Sequence, residues 1–271
     1  MLDLEIRQVV VDGRQVAYRR TGAGPALLLV HGGLSDGREW LPVMSRLADV
    51  ADLVAVDVPG CGASDDPPDG SSLADIADVV AGFAQALGLE RPHLGGLSYG
   101  GGLALQVATR HPDLPGSLVL MSGYAGWGGS LDPEELAVRL AWARSLVEEP
   151  PHPDPVAIVP GLLGSGLAPE LADLLAQATA GFRPGPTRVL LEGFAVADLR
   201  DEMSAVRCPT VVVHGELDVR APRPVADALH RGIPGSRLVV LPGVGHMVNL
   251  EAPDAVAAVL RDVVTGGAGI G

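Results

Sequence analysis

The sequence predicts an α/β fold in which helices wrap a largely parallel sheet. Three observations carry this. Short apolar runs that stop at turn residues recur along the chain, such as "ALLLVH" (26–31), "ADLVAVDVP" (51–59) and "GSLVLMSG" (116–123). Runs of that length without polar alternation suit strands buried on both faces. Segments with helical spacing lie between them, which gives the rhythm of a sheet layered by helices. The composition, 47% hydrophobic and 19% charged, is that of a globular chain, and with aromatics at 3% its core must be built from Leu, Val and Ala. At 271 residues it can bury a sizeable core.

The elements follow in order. Residues 5–11 and 15–20 are β-rich and flank "DG", a hairpin signal. The run at 26–31 is followed by "REWLPVMSRLA", whose spacing predicts a helix over 38–48. After the run at 51–59, "SSLADIADVVAGFAQALGL" (71–89) is an amphipathic helix, with Ser72 as N-cap and Gly88 near its end. "PHLGGL" reads as a strand, "YGGGLALQVATRH" as a helix and 116–123 as another strand. From about Gly123 to Val206 the rhythm breaks. Helical "DPEELAVRLAWARSLVEE" (132–149) and "PELADLLAQAT" (169–179) flank a proline-rich stretch, "EPPHPDPVAIVP" (149–160). This segment, 123–206, is read as an inserted helical cap and not as an independent domain, leaving 1–122 and 207–271 as the core. The rhythm then resumes with "PTVVVHG" (209–215), a helix over 222–231, "SRLVVLPG" (236–243) and a closing helix at 254–264. The tail "TGGAGIG" is expected to be mobile.

Charge and residue usage exclude several functions. The chain carries 19 basic and 33 acidic residues, a net charge of −14. An acidic surface disfavours nucleic acid and anionic membranes, which reward cationic faces. Every basic residue is Arg. Without lysine there is no Schiff base, no Ser–Lys dyad and no P-loop lysine. Cys61 and Cys208 offer neither a disulfide framework nor metal-ligand spacing, and no H-E-x-x-H occurs. The N-terminus shows no apolar leader, and no apolar stretch is long enough to span a membrane. The expectation is a cytoplasmic enzyme or binding protein that uses a small-molecule substrate and neither metal nor organic cofactor.

Gly96-Leu97-Ser98-Tyr99-Gly100 matches G-x-S-x-G, a weak signal alone in a chain with 36 glycines. Its position strengthens it: an apolar strand precedes and a helix follows. A nucleophile elbow needs that geometry, which lifts the serine hydroxyl into the open at the positive end of a helix. "VHGG" (30–33) closes the first long apolar run. A backbone N–H there, from Gly33 or alternatively Leu34, would pair with that of Tyr99 to hold a developing oxyanion. Asp218, in "GELDVRAP", follows another strand and could orient a histidine, whereas the segment after 116–123 offers no carboxylate. His246 stands on the glycine-rich loop "PGVGHM" before the last helix, where a general base could reach the serine. His31, His93, His111, His152 and His230 read as structural or solvated, and His214 is wrongly placed for a base.

Taken together, these segments resemble the serine-dependent α/β-hydrolase superfamily over nearly the whole chain. "HGGLSDGREW" is similar to its HG…W segment and "DVPGCGASDDP" (57–67) to its D-x-x-G-x-G-x-S segment. The order Ser98, Asp218, His246 is the one this arrangement requires. Within the superfamily the chain resembles the cofactor-free haloperoxidase, enol-lactonase and meta-cleavage-product hydrolase branches, which share this size and cap. The resemblance implies an eight-stranded, mostly parallel sheet flanked by helices, with a helical cap after strand six. It also implies Ser98 as nucleophile, His246 as base and Asp218 as its orienter. The expected reaction is cleavage of a small, largely apolar ester, thioester or lactone through an acyl-enzyme. A carbon–carbon bond hydrolase or cyclase on the same scaffold, or a binding protein without catalysis, are the alternatives. Trp127, Trp142, Phe182 and Phe194 are the candidate pocket residues, although ordinary packing in the cap is the better account of at least two of them.

Overall fold

The hairpin signal sets the first pairing of the sheet. Asp12 and Gly13 both take positive φ, 49° and 78°, as a two-residue type I′ turn demands. They join β1 (Arg7–Val11) to β2 (Arg14–Gly22) antiparallel. In this computed structural model, which describes residues 3–148, 159, 161–164 and 166–266, six further strands follow. They are β3 (Ala26–Val30), β4 (Asp52–Val56), β5 (His93–Leu97), β6 (Ser117–Met121), β7 (Thr210–Gly215) and β8 (Arg237–Leu241). The sheet runs β1-β2-β4-β3-β5-β6-β7-β8, and every pairing beyond β2–β4 is parallel. The apolar runs therefore became strands for the expected reason. β6 and β7 are buried along their whole length, and β3 and β5 at every position but the first.

The helices are α1 (Leu41–Met44), α2 (Leu73–Ala86), α3 (Tyr99–Arg110), α4 (Pro133–Glu148), α5 (Pro169–Thr179), α6 (Pro184–Val196), α7 (Arg223–Gly232), α8 (Val248–Glu251) and α9 (Pro253–Val264). Ser72 caps α2 through a reciprocal capping box with Asp75. α3 packs on β5 and β6, and α7 on β7 and β8. The core is Leu-, Val- and Ala-rich, with Trp40 and Phe83 among its few aromatics.

Two expectations need correction. The helix predicted over 38–48 is a 3-10 turn, Gly37–Trp40, then the single α-turn α1, then irregular turns. Pro42 supplies no amide, and the bonds from Arg46 to Val43 and from Leu47 to Met44 span three residues, not four. Conversely, α6 went unrecognised because it opens "PGPT", which reads as a breaker. Pro184 sits in its first turn, where a missing N–H costs nothing. α4, α5 and α6 lie between β6 and β7, where the rhythm breaks. α4 packs on α6, and α5 packs on the 3-10 turn. His152, nearly all of 149–160 and most of the terminal tail lie outside the described residues.

The D-x-x-G-x-G-x-S segment is a structural clasp. Asp57, fully buried, accepts from Arg19 Nη1 (2.9 Å) and from the amides of Gly37 (2.9 Å) and Ala63 (3.0 Å). Ser64 Oγ donates to the Asp57 carbonyl (2.6 Å) and accepts from the Ala17 amide (2.8 Å). A Cβ at Gly62 would collide with the Asp57 carboxylate, so glycine is required there. Asp57→Ala would strand the buried Arg19 guanidinium. It is expected to cost about 3–5 kcal/mol of stability, read as a lower denaturation midpoint in urea with unchanged slope.

Candidate active site

Ser98 stands between β5 and α3 with φ 53° and ψ −113°, a region that few non-glycine residues occupy. Its amide donates to the Met121 carbonyl (2.8 Å), which ties the turn to β6. The glycines of the five-residue pattern are sterically required. A Cβ at Gly96 would strike the Gly100 carbonyl, and one at Gly100 the carbonyls of Val30 and His31. The elbow is thus clamped against the end of β3.

Three side chains meet here from three loops. Ser98 Oγ lies 2.9 Å from His246 Nε2, and His246 Nδ1 lies 2.9 Å from Asp218 Oδ2 and 3.0 Å from Oδ1. His246 and Asp218 are buried, at 2% and 4% exposure, so their interaction is little screened by water. Asp218 Oδ1 also accepts from the amides of Arg220 and Ala221, both at 2.9 Å. Burial pushes the Asp218 carboxyl up, but His246 and the Ala221 amide outweigh it, and the group sits below the usual carboxylate range. It is therefore ionised at neutral pH. Its contact with His246 places the imidazole proton on Nδ1 and leaves Nε2 as acceptor for the serine hydroxyl.

Tyr99 opens α3, so its amide has no acceptor within the helix. Gly33 and Leu34 border the cavity that also contains Tyr99, with Leu34 at φ 67°. His31 is a turn residue, as expected. Its Nε2 accepts from the Val58 amide (3.0 Å) and its Nδ1 lies 2.7 Å from the Gly32 carbonyl, bracing this loop. His93, His111 and His230 pair with Ser117, Asp78 and Ser236, away from the cavity.

The apolar lining of the cavity that contains Ser98 and His246 comes mainly from the segment between β6 and β7. Trp127, Trp142 and Phe194 line it. Phe194 packs edge-on to Tyr99 at 5.1 Å and Tyr124 at 6.0 Å, so it is both a wall and a core residue. Phe182 does not line it. It lies on the turn between α5 and α6, its amide donating to Thr179 (3.1 Å), and packs against the core.

Sequence reasoning missed Tyr124, Leu191, Arg220 and Glu39 as lining residues. Tyr124 donates to the Arg220 carbonyl (2.6 Å) and accepts from Arg139 (2.9 Å), and the Arg220 guanidinium lies 5.6 Å from the Trp142 ring. No sequence spacing announces these partners. Glu39 stands directly before the buried Trp40, but nothing in the sequence marks its carboxylate as buried. Cys61 is buried, and burial pushes its thiol up, away from the reactive thiolate. Among the described residues no cluster of His, Cys, Asp and Glu could hold a metal ion, and no helix is long and apolar enough to cross a membrane.

Comparison with known proteins agrees with this architecture. The model of the alpha/beta hydrolase family matches residues 27–259. A 2-hydroxymuconate semialdehyde hydrolase from Pseudomonas sp. strain CF600 is 30% identical over 94% of this chain and 92% of its own. A thermophilic esterase from Thermogutta terrifontis superposes with a TM-score of 0.85 at 27% identity, covering 97% of this chain and 99% of that one. The enol-lactonase from Burkholderia xenovorans LB400, at 24% identity and a TM-score of 0.82, covers 96% of this chain and all of its own and shares the fold.

Proposed function

The chain belongs to the alpha/beta hydrolase family, and from that premise we propose that it is a serine hydrolase of small, largely apolar esters, thioesters or lactones. One observation carries the reading: the continuous contact from Ser98 Oγ through the His246 ring to Asp218, at 2.9 Å on each side. His246 Nε2 takes the Ser98 proton as Oγ attacks the acyl carbon. The Tyr99 amide and that of Gly33, or Leu34 in its place, hold the oxyanion. His246 returns the proton to the leaving group, and water then cleaves the acyl-enzyme by the same route. Trp127, Trp142, Phe194 and Leu191 support an apolar acyl group. Residues 123–206 act as a cap over the site and take their stability from the core formed by 1–122 and 207–271.

A second reading, hydrolysis of a carbon–carbon bond, is favoured by the 2-hydroxymuconate semialdehyde hydrolase that resembles this chain over nearly its full length. The two readings separate by experiment. Intact-mass analysis after treatment with a small fluorophosphonate is expected to show one adduct on the wild type and none on His246→Ala. A panel of simple esters and lactones should then be turned over. Labelling without ester turnover would favour carbon–carbon cleavage, and the absence of any adduct would reject an activated serine.

A further inference from the structure

Glu39 is a buried carboxyl group that the triad does not use. It belongs to the 3-10 turn Gly37–Trp40, is 0% exposed and borders the cavity beside Gly32 and Gly33. Its Oε1 is occupied, accepting from the Gly32 amide at 3.1 Å and from the Asn249 side chain at 3.3 Å. Asn249 also donates to the Glu39 carbonyl at 3.2 Å, which ties the turn to the helix that follows His246. Oε2 makes no hydrogen bond of its own, and the nearby Ser35 hydroxyl, which also acts on this carboxyl, is turned to the Asp36 carbonyl at 3.5 Å.

The charged and titratable groups around Glu39 do not compensate it. The charge that acts on it most is Asp36, of like sign, on the same turn. Cys61, on the loop after β4, feels the Glu39 charge. The same cavity is also lined by His246, already engaged with Asp218, and by Arg220. A bare carboxylate oxygen in such surroundings is costly. With Oε1 receiving two N–H donors, the proton of the neutral acid belongs on Oε2, a single O–H donor that is buried from water in this structure and that a ligand in the bordering cavity must uncover to reach.

We propose that Glu39 is a substrate-recognition residue: through its Oε2 hydroxyl it donates to an uncharged acceptor oxygen, a keto or amide carbonyl, that the substrate carries beside its acyl group. This rests on the serine-hydrolase reading only for the identity of that acyl group. Burial pushes the carboxyl up to about 7, with Ser35, the Gly32 amide and Asn249 pulling the other way. The donor is therefore present below about pH 7 and is lost above it, where the carboxylate repels an acceptor oxygen.

The test is a binding measurement that needs no turnover. Ser98→Ala protein is titrated by ligand-observed NMR with methyl 4-oxopentanoate and with methyl pentanoate, which lacks the second carbonyl. At about pH 5.5 the oxo ester is expected to bind about fivefold more tightly, and at about pH 8.5 the preference should vanish. Adding Glu39→Gln, which keeps one acceptor and one donor, should preserve the preference at both pH values. Adding Glu39→Leu should remove it at both. Equal binding of the two esters at about pH 5.5, binding of neither, or a pH-independent preference in the Glu39 protein would each overturn the proposal. The serine-hydrolase reading fails separately, if the wild type takes no fluorophosphonate adduct.

Discussion

Ser98→Ala is expected to lower kcat by about a millionfold and to leave the fold intact. The two halves of this expectation have different causes. Loss of activity follows because, among the described residues, the hydroxyl held against His246 Nε2 is that of Ser98, whereas those of Ser35 and Thr179, which also border the cavity, donate to the carbonyls of Asp36 (3.5 Å) and Leu175 (2.9 Å). The Tyr99 hydroxyl is buried without a partner and pushed up by burial, and the Cys61 thiol is likewise pushed up. Retention of the fold follows because alanine tolerates φ 53° about as well as serine does, and the turn is held by backbone contacts. His246→Ala should cost a similar factor, and the double variant little more, because the residues act as a unit. Steady-state rates on the best ester of the panel, with thermal melts as control, measure both. A Ser98→Ala protein within about tenfold of wild type would locate the nucleophile elsewhere.

Much of this site was legible because its chemistry depends on local sequence rules. A strand, a serine between glycines and a helix specify the elbow, since a Cβ at Gly96 or Gly100 would run into backbone carbonyls. The parallel sheet was legible for a related reason. Strands buried on both faces lose polar alternation and leave short apolar runs, and the eight strands fall where such runs and the hairpin signal lie. Asp218 and His246 stood out because each follows its own strand on a loop long enough to turn inward.

The cavity walls were not legible in the same way. Leu191 and Phe194 sit on α6, whose proline-rich start hides a helix, and they line the cavity that contains Ser98 only because α6 packs on α4 and α2. Phe182, chosen for its ring, lies on a turn outside the wall, because aromatic identity alone says nothing of direction. Glu39 was hidden more deeply. A carboxylate before a tryptophan resembles a solvated turn residue, and only the fold buries it against Gly32 and Asn249, a partner 210 residues away.

Asp218→Asn should lower kcat by about 10⁴-fold with little change in stability, through the tautomer of His246 and not through loss of a contact. Asp218 Oδ1 accepts from two backbone amides, Arg220 and Ala221, so an asparagine keeps its carbonyl oxygen there and turns its NH2 toward His246 Nδ1. Two donors cannot share that contact. The imidazole must then carry its proton on Nε2, where it donates to Ser98 Oγ and can no longer accept the hydroxyl proton. The fluorophosphonate labelling rate should fall in parallel with kcat, because both need the same proton transfer. Glu216 supplies the control. It is exposed and accepts from the Gly243 amide at 2.9 Å, so Glu216→Gln should leave labelling and turnover near wild type. If Asp218→Asn instead labels at the wild-type rate while Glu216→Gln is slow, the carboxylate that orients His246 in solution is Glu216, and the loop after β7 must rearrange to deliver it.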